Sequence, residues 1–161
     1  MFGRFTQEAR QTLYFARANA SERMGDAIDI EDILQGIIAA APDAVRRFAS
    51  HPSFMSPTSE GQLRPGETPE QWHQRVEDTA WFRDGSRELP FSTRVKAALE
   101  HAAGEADELR HKAIRPEHLL MGLLRDEGTE AWQTLNEAGV TLRELRQVLA
   151  EEGVEERSPD G

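Results

Sequence analysis

Apolar residues recur along this chain at helical spacing, and they do so twice. Ala9, Leu13, Ala16 and Ala20 step by four, three and four residues, and Val95, Leu99, Ala102 and Ala106 repeat those steps. Such spacing lines one face of an α-helix. A short break comes next in each copy, with Ala27-Ile28 in the first and Ala113-Ile114 in the second. Then Ile33, Leu34, Ile37 and Ile38 return as Leu119, Leu120, Leu123 and Leu124, which again predicts an amphipathic helix. Phe5 to Ile38 thus lies over Phe91 to Leu124 at a constant offset of 86 without a gap, an internal repeat. Gly36 and Gly122 match as well. A glycine inside a helix costs about 1 kcal/mol relative to alanine, so its presence in both copies predicts close helix–helix approach.

Helix-start residues agree with this pattern. Thr6 is placed to cap the first helix and Ser92 or Thr93 its partner; Asp29 precedes the second helix, and Pro116 sits in the first turn of its counterpart. Thr141-Leu142-Arg143-Glu144 reads as a capping box for a last helix to about Glu152. Thr68-Pro69-Glu70-Gln71 carries the same signature and predicts a helix through Trp81, with shorter helices over Asp43–Ala49 and Thr129–Ala138. No segment shows sustained strand alternation. The expected fold is therefore all-α, with about eight helices in two pseudo-equivalent four-helix repeats. Residues 1–152 are expected to form a single domain: repeat one to about 81, a linker over about 82–90, and repeat two over about 91–152. A polar tail, 153–161, is expected to fray. His51–Glu67 is rich in Pro, Ser, Gly and Thr and reads as a surface loop. Each repeat alone is near the size at which one core becomes marginal.

Composition removes several classes of function. Among 161 residues there is no cysteine, which excludes disulfides, thiolate metal sites and cysteine nucleophiles. The formal charge of −10 speaks against a nucleic-acid partner, which needs clustered basic charge. No His pair has HExxH spacing, no GxxxxGK[ST] phosphate loop is present, and no cofactor is implied. There is no apolar run of about 18–20 residues and no leader at Met1, so the expectation is a soluble, untargeted, cytoplasmic protein with no membrane partner.

Several segments resemble a known family. Met1-Phe2-Gly3-Arg4-Phe5-Thr6 with its following Ala/Arg-rich helix resembles the start of ClpC-type bacterial unfoldases. Ile28–Ile37 and Ile114–Leu123 each resemble that family's I-G-T-E-H-I-L-L-G-L signature, and Pro90–Lys96 resembles its P-F-T-P-R-A-K opening of the second repeat. The resemblance covers roughly Met1–Ala49 and Leu89–Glu152, and the middle departs from it. It implies the double Clp N-terminal repeat fold, an accessory module that receives substrates and adaptor proteins in front of ATPase rings. Without the rings, the chain is expected to be a free-standing domain of this kind.

The resemblance also implies two sets of site residues. Glu31 and Glu117 fall in the first turn of the second helix of each repeat, where a carboxylate gains about 0.3–1 kcal/mol from the helix dipole with no ligand at all. In the family the matching pair takes part in binding phosphoarginine, a degradation mark, through charge-assisted bonds to the guanidinium. Here Asp29-Ile30 and Arg115-Pro116 replace the family's Gly-Thr, with Arg115 adding positive charge at the second site. The second set is Phe2, Phe91, Lys96 and Glu100, which matches the family surface where adaptors and cyclic-peptide antibiotics dock. Read without the family, the phenylalanines staple helix starts and Lys96–Glu100 is an ordinary i, i+4 pair. Trp72, Trp81, Phe82 and Trp132 read as core, the first two alternatively as a groove peculiar to this chain. His73, His101, His111 and His118 read as solvated or locally hydrogen-bonded, with no metal geometry.

The expected function is a non-catalytic module that binds proteins, peptides or cyclic-peptide ligands, with Clp ATPase or protease components and adaptors as partners. A regulator docking onto the Clp complex is the alternative, and a small all-α hydrolase using Glu31 or Glu117 a further one.

Overall fold

The computed structural model describes residues 3–50 and 89–152, together with Gly66, Thr68, Gln71 and Gln74. Seven helices are bounded among the described residues: α1 (Gln7–Glu22), α2 (Ile30–Ala40), α3 (Pro42–Arg46), α4 (Thr93–Glu108), α5 (Pro116–Leu124), α6 (Glu130–Glu137) and α7 (Leu142–Glu151). The protein is all-α, as the periodicity predicts.

Hydroxyl caps start four of these helices. Thr6, Ser92, Thr129 and Thr141 accept from the backbone N–H three residues on, at 3.2, 3.1, 3.0 and 3.3 Å. Each satisfies one of the amides a helix start leaves unpaired. Thr68 and Gln71 exchange reciprocal bonds of 2.9 and 3.1 Å, so the capping box expected there is formed. Apart from Gln74, which is helical, the rest of the helix expected through Trp81 lies outside the described residues, as do Trp72, His73 and Phe82. α3 is shorter than the Asp43–Ala49 expectation and opens on Pro42, whose fixed φ suits a first turn.

The glycines do what their spacing predicts. A Cβ on Gly36 would collide with the carbonyl oxygen of Thr12, and one on Gly122 with that of Ala98. Residues 12 and 98 are themselves 86 apart, so α1/α2 and α4/α5 are the same close-packed pair built twice. Both pairs also enter their connecting turn through a left-handed residue, Met24 (φ 60°) and Arg110 (φ 59°).

The copies are interlocked. Phe5 bridges in parallel to Ile114, and Phe91 to Ile28. Ile114 N–H donates to Arg4 O at 2.8 Å and Thr6 N–H to Ile114 O at 3.1 Å. The mirror set is Ile28 N–H to Pro90 O at 2.8 Å and Ser92 N–H to Ile28 O at 2.9 Å. The segment leading each repeat is therefore held by the connecting loop of the other. Beneath these crossings one core joins the repeats, with Ile30, Ile33, Ile37, Leu119, Leu120, Met121, Leu123, Leu135, Leu145 and Leu149 fully buried. Glu105, 2% exposed, accepts from both Arg125 and Arg146 and ties α4 to the end of α5 and to α7.

Candidate functional site

Three places collect the polar residues that the sequence singles out: the starts of α2 and α5, and the outer face of α4.

At the start of α2, Asp29 Oδ1 accepts from Ile30 N–H at 2.8 Å and from Ser92 Oγ at 3.2 Å. Asp29 N–H donates back to Asp32 Oδ2 at 2.8 Å, closing a capping box. Asp32 is 1% exposed and also takes Asn19 Nδ2 at 2.7 Å and Arg23 Nε at 2.9 Å. Its hydrogen bond to Arg23 holds that guanidinium's pKa above the ordinary arginine value. Glu31 projects from the same turn and is exposed.

The start of α5 uses other chemistry. Arg115 N–H donates to His118 Nδ1 at 2.9 Å, and His118 Nε2 lies 3.1 Å from His111 Nδ1. An accepting Nδ1 assigns the His118 proton to Nε2, which donates to His111. Both rings are buried, and they meet edge to face. Burial, and after it the charges of Arg115, His111 and Arg4, push His118 down to about 3. Of the two readings, solvated or locally hydrogen-bonded, the second holds for His111 and His118: both are buried, and His118 is bonded to the Arg115 N–H and to the His111 ring.

Glu117 parts company with Glu31. It is 8% exposed, and its Oε2 accepts from Arg47 Nη1 at 3.1 Å. Arg47 Nη2 donates to Glu152 Oε1 at 2.6 Å, and Arg115 Nη2 to Glu152 Oε2 at 2.9 Å. Burial pushes the Glu152 carboxyl up, but the bonds from Arg47 and Arg115 outweigh it and hold its pKa below the usual value. Arg115, expected to add positive charge at this site, donates its Nη2 to Glu152. Neither Arg47 nor Glu152 stands out in the sequence, because a contact across 70 or 105 residues leaves no local pattern.

On α4, Lys96 and Glu100 are both exposed, one turn apart. Phe91, just before the helix, is half-buried against the core, whereas its repeat-one counterpart Phe5 is only 7% exposed. Phe2 lies outside the described residues. Trp132 is partly buried against the core. Among the described residues no group of three His, Asp or Glu is placed to hold a metal ion, and no helix is long and apolar enough to cross a membrane.

Two copies of one helical unit, crossed through backbone bridges and sealed by matching glycine contacts, define the class: a double-repeat helical domain. Comparison with known proteins shows what it is similar to. Residues 90–159 match the family model of the Clp repeat (R) N-terminal domain. It is 28% identical over 151 residues to the chaperone protein ClpB of Oceanobacillus iheyensis, covering 91% of this chain and 17% of that one. It is 27% identical over 151 residues to the negative regulator of genetic competence ClpC/MecB of Bacillus subtilis, with the same coverage. The chain thus spans about one sixth of the length of these relatives. The solved N-terminal domain of ClpD from Arabidopsis thaliana shares the fold, with a TM-score of 0.56 at 19% identity, over 94% of this chain and 96% of that one.

Proposed function

We propose that this chain is a non-catalytic binding module of the Clp system, acting as one folded unit, and that it receives protein or peptide ligands through Phe91, which precedes α4, and through Lys96 and Glu100 on α4, together with Phe2. The observation that carries this reading is the contrast between two equivalent phenylalanines. Phe5 is consumed by the core, whereas Phe91 stays half-buried next to two exposed charges of opposite sign. A rigid aromatic flanked by a donor and an acceptor suits an extended or cyclic peptide, which offers apolar side chains and backbone amides together. Partners of this chemistry are Clp ATPase or protease components, adaptor proteins and cyclic peptides directed at Clp unfoldases, in the bacterial cytoplasm.

Two observations support a binding role over hydrolysis. Glu31 stands exposed on a helix surface, and Glu117 is neutralised by Arg47. Phosphoarginine recognition is a second reading, favoured only in repeat one, where Glu31 is exposed in the first turn of α2.

Calorimetry of the full chain with a Clp-directed cyclic peptide tests the first reading. Saturable heat is expected in the wild type, with a loss of at least tenfold in affinity for Phe91→Ala. Unchanged affinity in Phe91→Ala, or no heat in the wild type, removes the α4 face as the docking surface. Retention of a Clp ring by the immobilised chain, insensitive to Phe91→Ala, would favour the ring-docking regulator instead.

A further inference from the structure

The two crossings between the repeats are alike in backbone and unlike in side chain. At each, one residue of a connecting loop grips a leading segment by two backbone bonds. Ile114 N–H donates to Arg4 O and Thr6 N–H to Ile114 O around Phe5; Ile28 N–H donates to Pro90 O and Ser92 N–H to Ile28 O around Phe91. The second crossing also carries a side-chain tie, from Ser92 Oγ to Asp29 Oδ1 at 3.2 Å. The same hydroxyl accepts from Val95 N–H at 3.1 Å, so it caps α4 and links it to repeat one. At the first crossing Thr6 Oγ1 accepts from Ala9 N–H, and the offset of 86 puts Arg115 where Asp29 would stand. A guanidinium has no acceptor to offer a hydroxyl.

Asp29 is itself held in place. Its N–H donates to Asp32 Oδ2 at 2.8 Å, and its Oδ1 also accepts from Ile30 N–H at 2.8 Å. Asp32, buried, takes Asn19 and Arg23 in turn. A continuous chain of bonds therefore runs from α1, through the start of α2, to the residue that follows Phe91. The tie falls where packing gives least. Phe5, 7% exposed, is located by the core, whereas Phe91 is only half-buried. A surface aromatic yields more affinity when its backbone is fixed before a ligand arrives, because ordering it on binding costs free energy.

We infer that Asp29 is a positioning residue for the Phe91 docking surface: by holding Ser92 it fixes the backbone that presents Phe91 to a bound peptide, so that repeat one sets the geometry of a surface displayed by repeat two. This inference rests on the docking reading given above. Asp29 acts through Ser92 and not by contact with the peptide.

Hydrogen exchange and calorimetry of the full chain test it together. Asp29→Gly removes the carboxylate at a position where glycine still starts a helix. In the unliganded variant the amide of residue 92, which donates to Ile28 O, should exchange about threefold faster, while the Thr6 amide at the other crossing keeps its wild-type rate. Affinity for the Clp-directed cyclic peptide should fall by about fivefold. Asp29→Asn keeps an acceptor for Ser92 without the charge and should bind within about twofold of the wild type, which separates positioning from electrostatic attraction of the peptide. Added to Phe91→Ala, Asp29→Gly should cost no further affinity. If Asp29→Gly gives no cooperative melt, Ser92→Gly breaks the same bond from the other side and should give the same results. Unchanged exchange at residue 92, equal acceleration at Thr6, unchanged affinity, a loss shared in full by Asp29→Asn, or a loss undiminished in the Phe91→Ala background each overturns this inference alone. No heat in the wild type, or Phe91→Ala binding as the wild type does, overturns it together with the docking reading.

Discussion

The helices α2 and α5 begin at the same point of the repeat and are locked there by opposite means. α2 is fastened by charge: Asp32, buried, answers the backbone of Asp29 and the guanidinium of Arg23 at once. α5 is fastened by a neutral ring: His118 answers the backbone of Arg115 and leans on His111. The two copies share the demand for an acceptor at the third helical position and leave the chemistry of that acceptor free. Each choice exposes its half to a different weakness. A buried carboxylate depends on keeping its cation, and a buried imidazole on staying unprotonated.

Breaking the charged lock should have the largest effect. Asp32→Ala removes the return half of the capping box and leaves Arg23 and Asn19 without this partner, and is expected to cost about 3 kcal/mol in urea denaturation. A loss near zero would mean that the two locks are equivalent after all.

Acid should find the neutral lock first. The folded pKa of His118 is about 3 against an ordinary 6.5, so below pH 6.5 the unfolded chain binds the proton that the folded chain refuses. Stability contributed by keeping the ring neutral is whole above that pH and declines as pH falls toward 3, with a slope of up to about 1.4 kcal/mol per pH unit. Glu105 and Glu152, both held below the usual carboxylate value, add a loss only as pH drops further, through the carboxylate range. His118→Gln keeps an acceptor without the titration, and melts between pH 6.5 and 5 should then be flat. A wild type that is already flat in that window contradicts the assignment.

Where the repeats agree, substitutions should agree too. Gly36→Ala and Gly122→Ala each drive a methyl into a facing carbonyl and are expected to cost about 1–3 kcal/mol, by similar amounts. Unequal costs in chemical denaturation would show that one helix pair relaxes where the other does not. At the small end, Lys96→Ala and Glu100→Ala should change stability by less than about 0.5 kcal/mol, because both side chains are exposed. Their effect belongs in ligand affinity, read by calorimetry with the cyclic peptide.

Short spacings made much of the fold legible in the sequence. The i, i+3, i+4 steps placed α1 and α4, the hydroxyls before each helix marked their starts, and one glycine per repeat announced a backbone contact. Family resemblance drew Glu31 and Glu117 as a matched pair, but the sequence did not show how differently the two are exposed. Both sit in the first turn of a like helix, but exposure is decided by what reaches that turn from elsewhere. Arg47 reaches Glu117 from 70 residues away, whereas Glu31 stands exposed. The pairing of His111 with His118 was hidden for a related reason: a ring's partner depends on how the turn around Arg110 folds back, which no periodicity encodes.

The crossed bridges carry a consequence for the chain's leading edge. Arg4, Phe5 and Thr6 grip the loop at Ile114, and Arg4 adds hydrogen bonds to the carbonyls of His111 and Lys112. Trimming those few residues would therefore loosen the distant trailing copy before the one they introduce. Damage at one end of the polypeptide would surface more than a hundred positions away, as faster amide exchange around the His111–His118 turn.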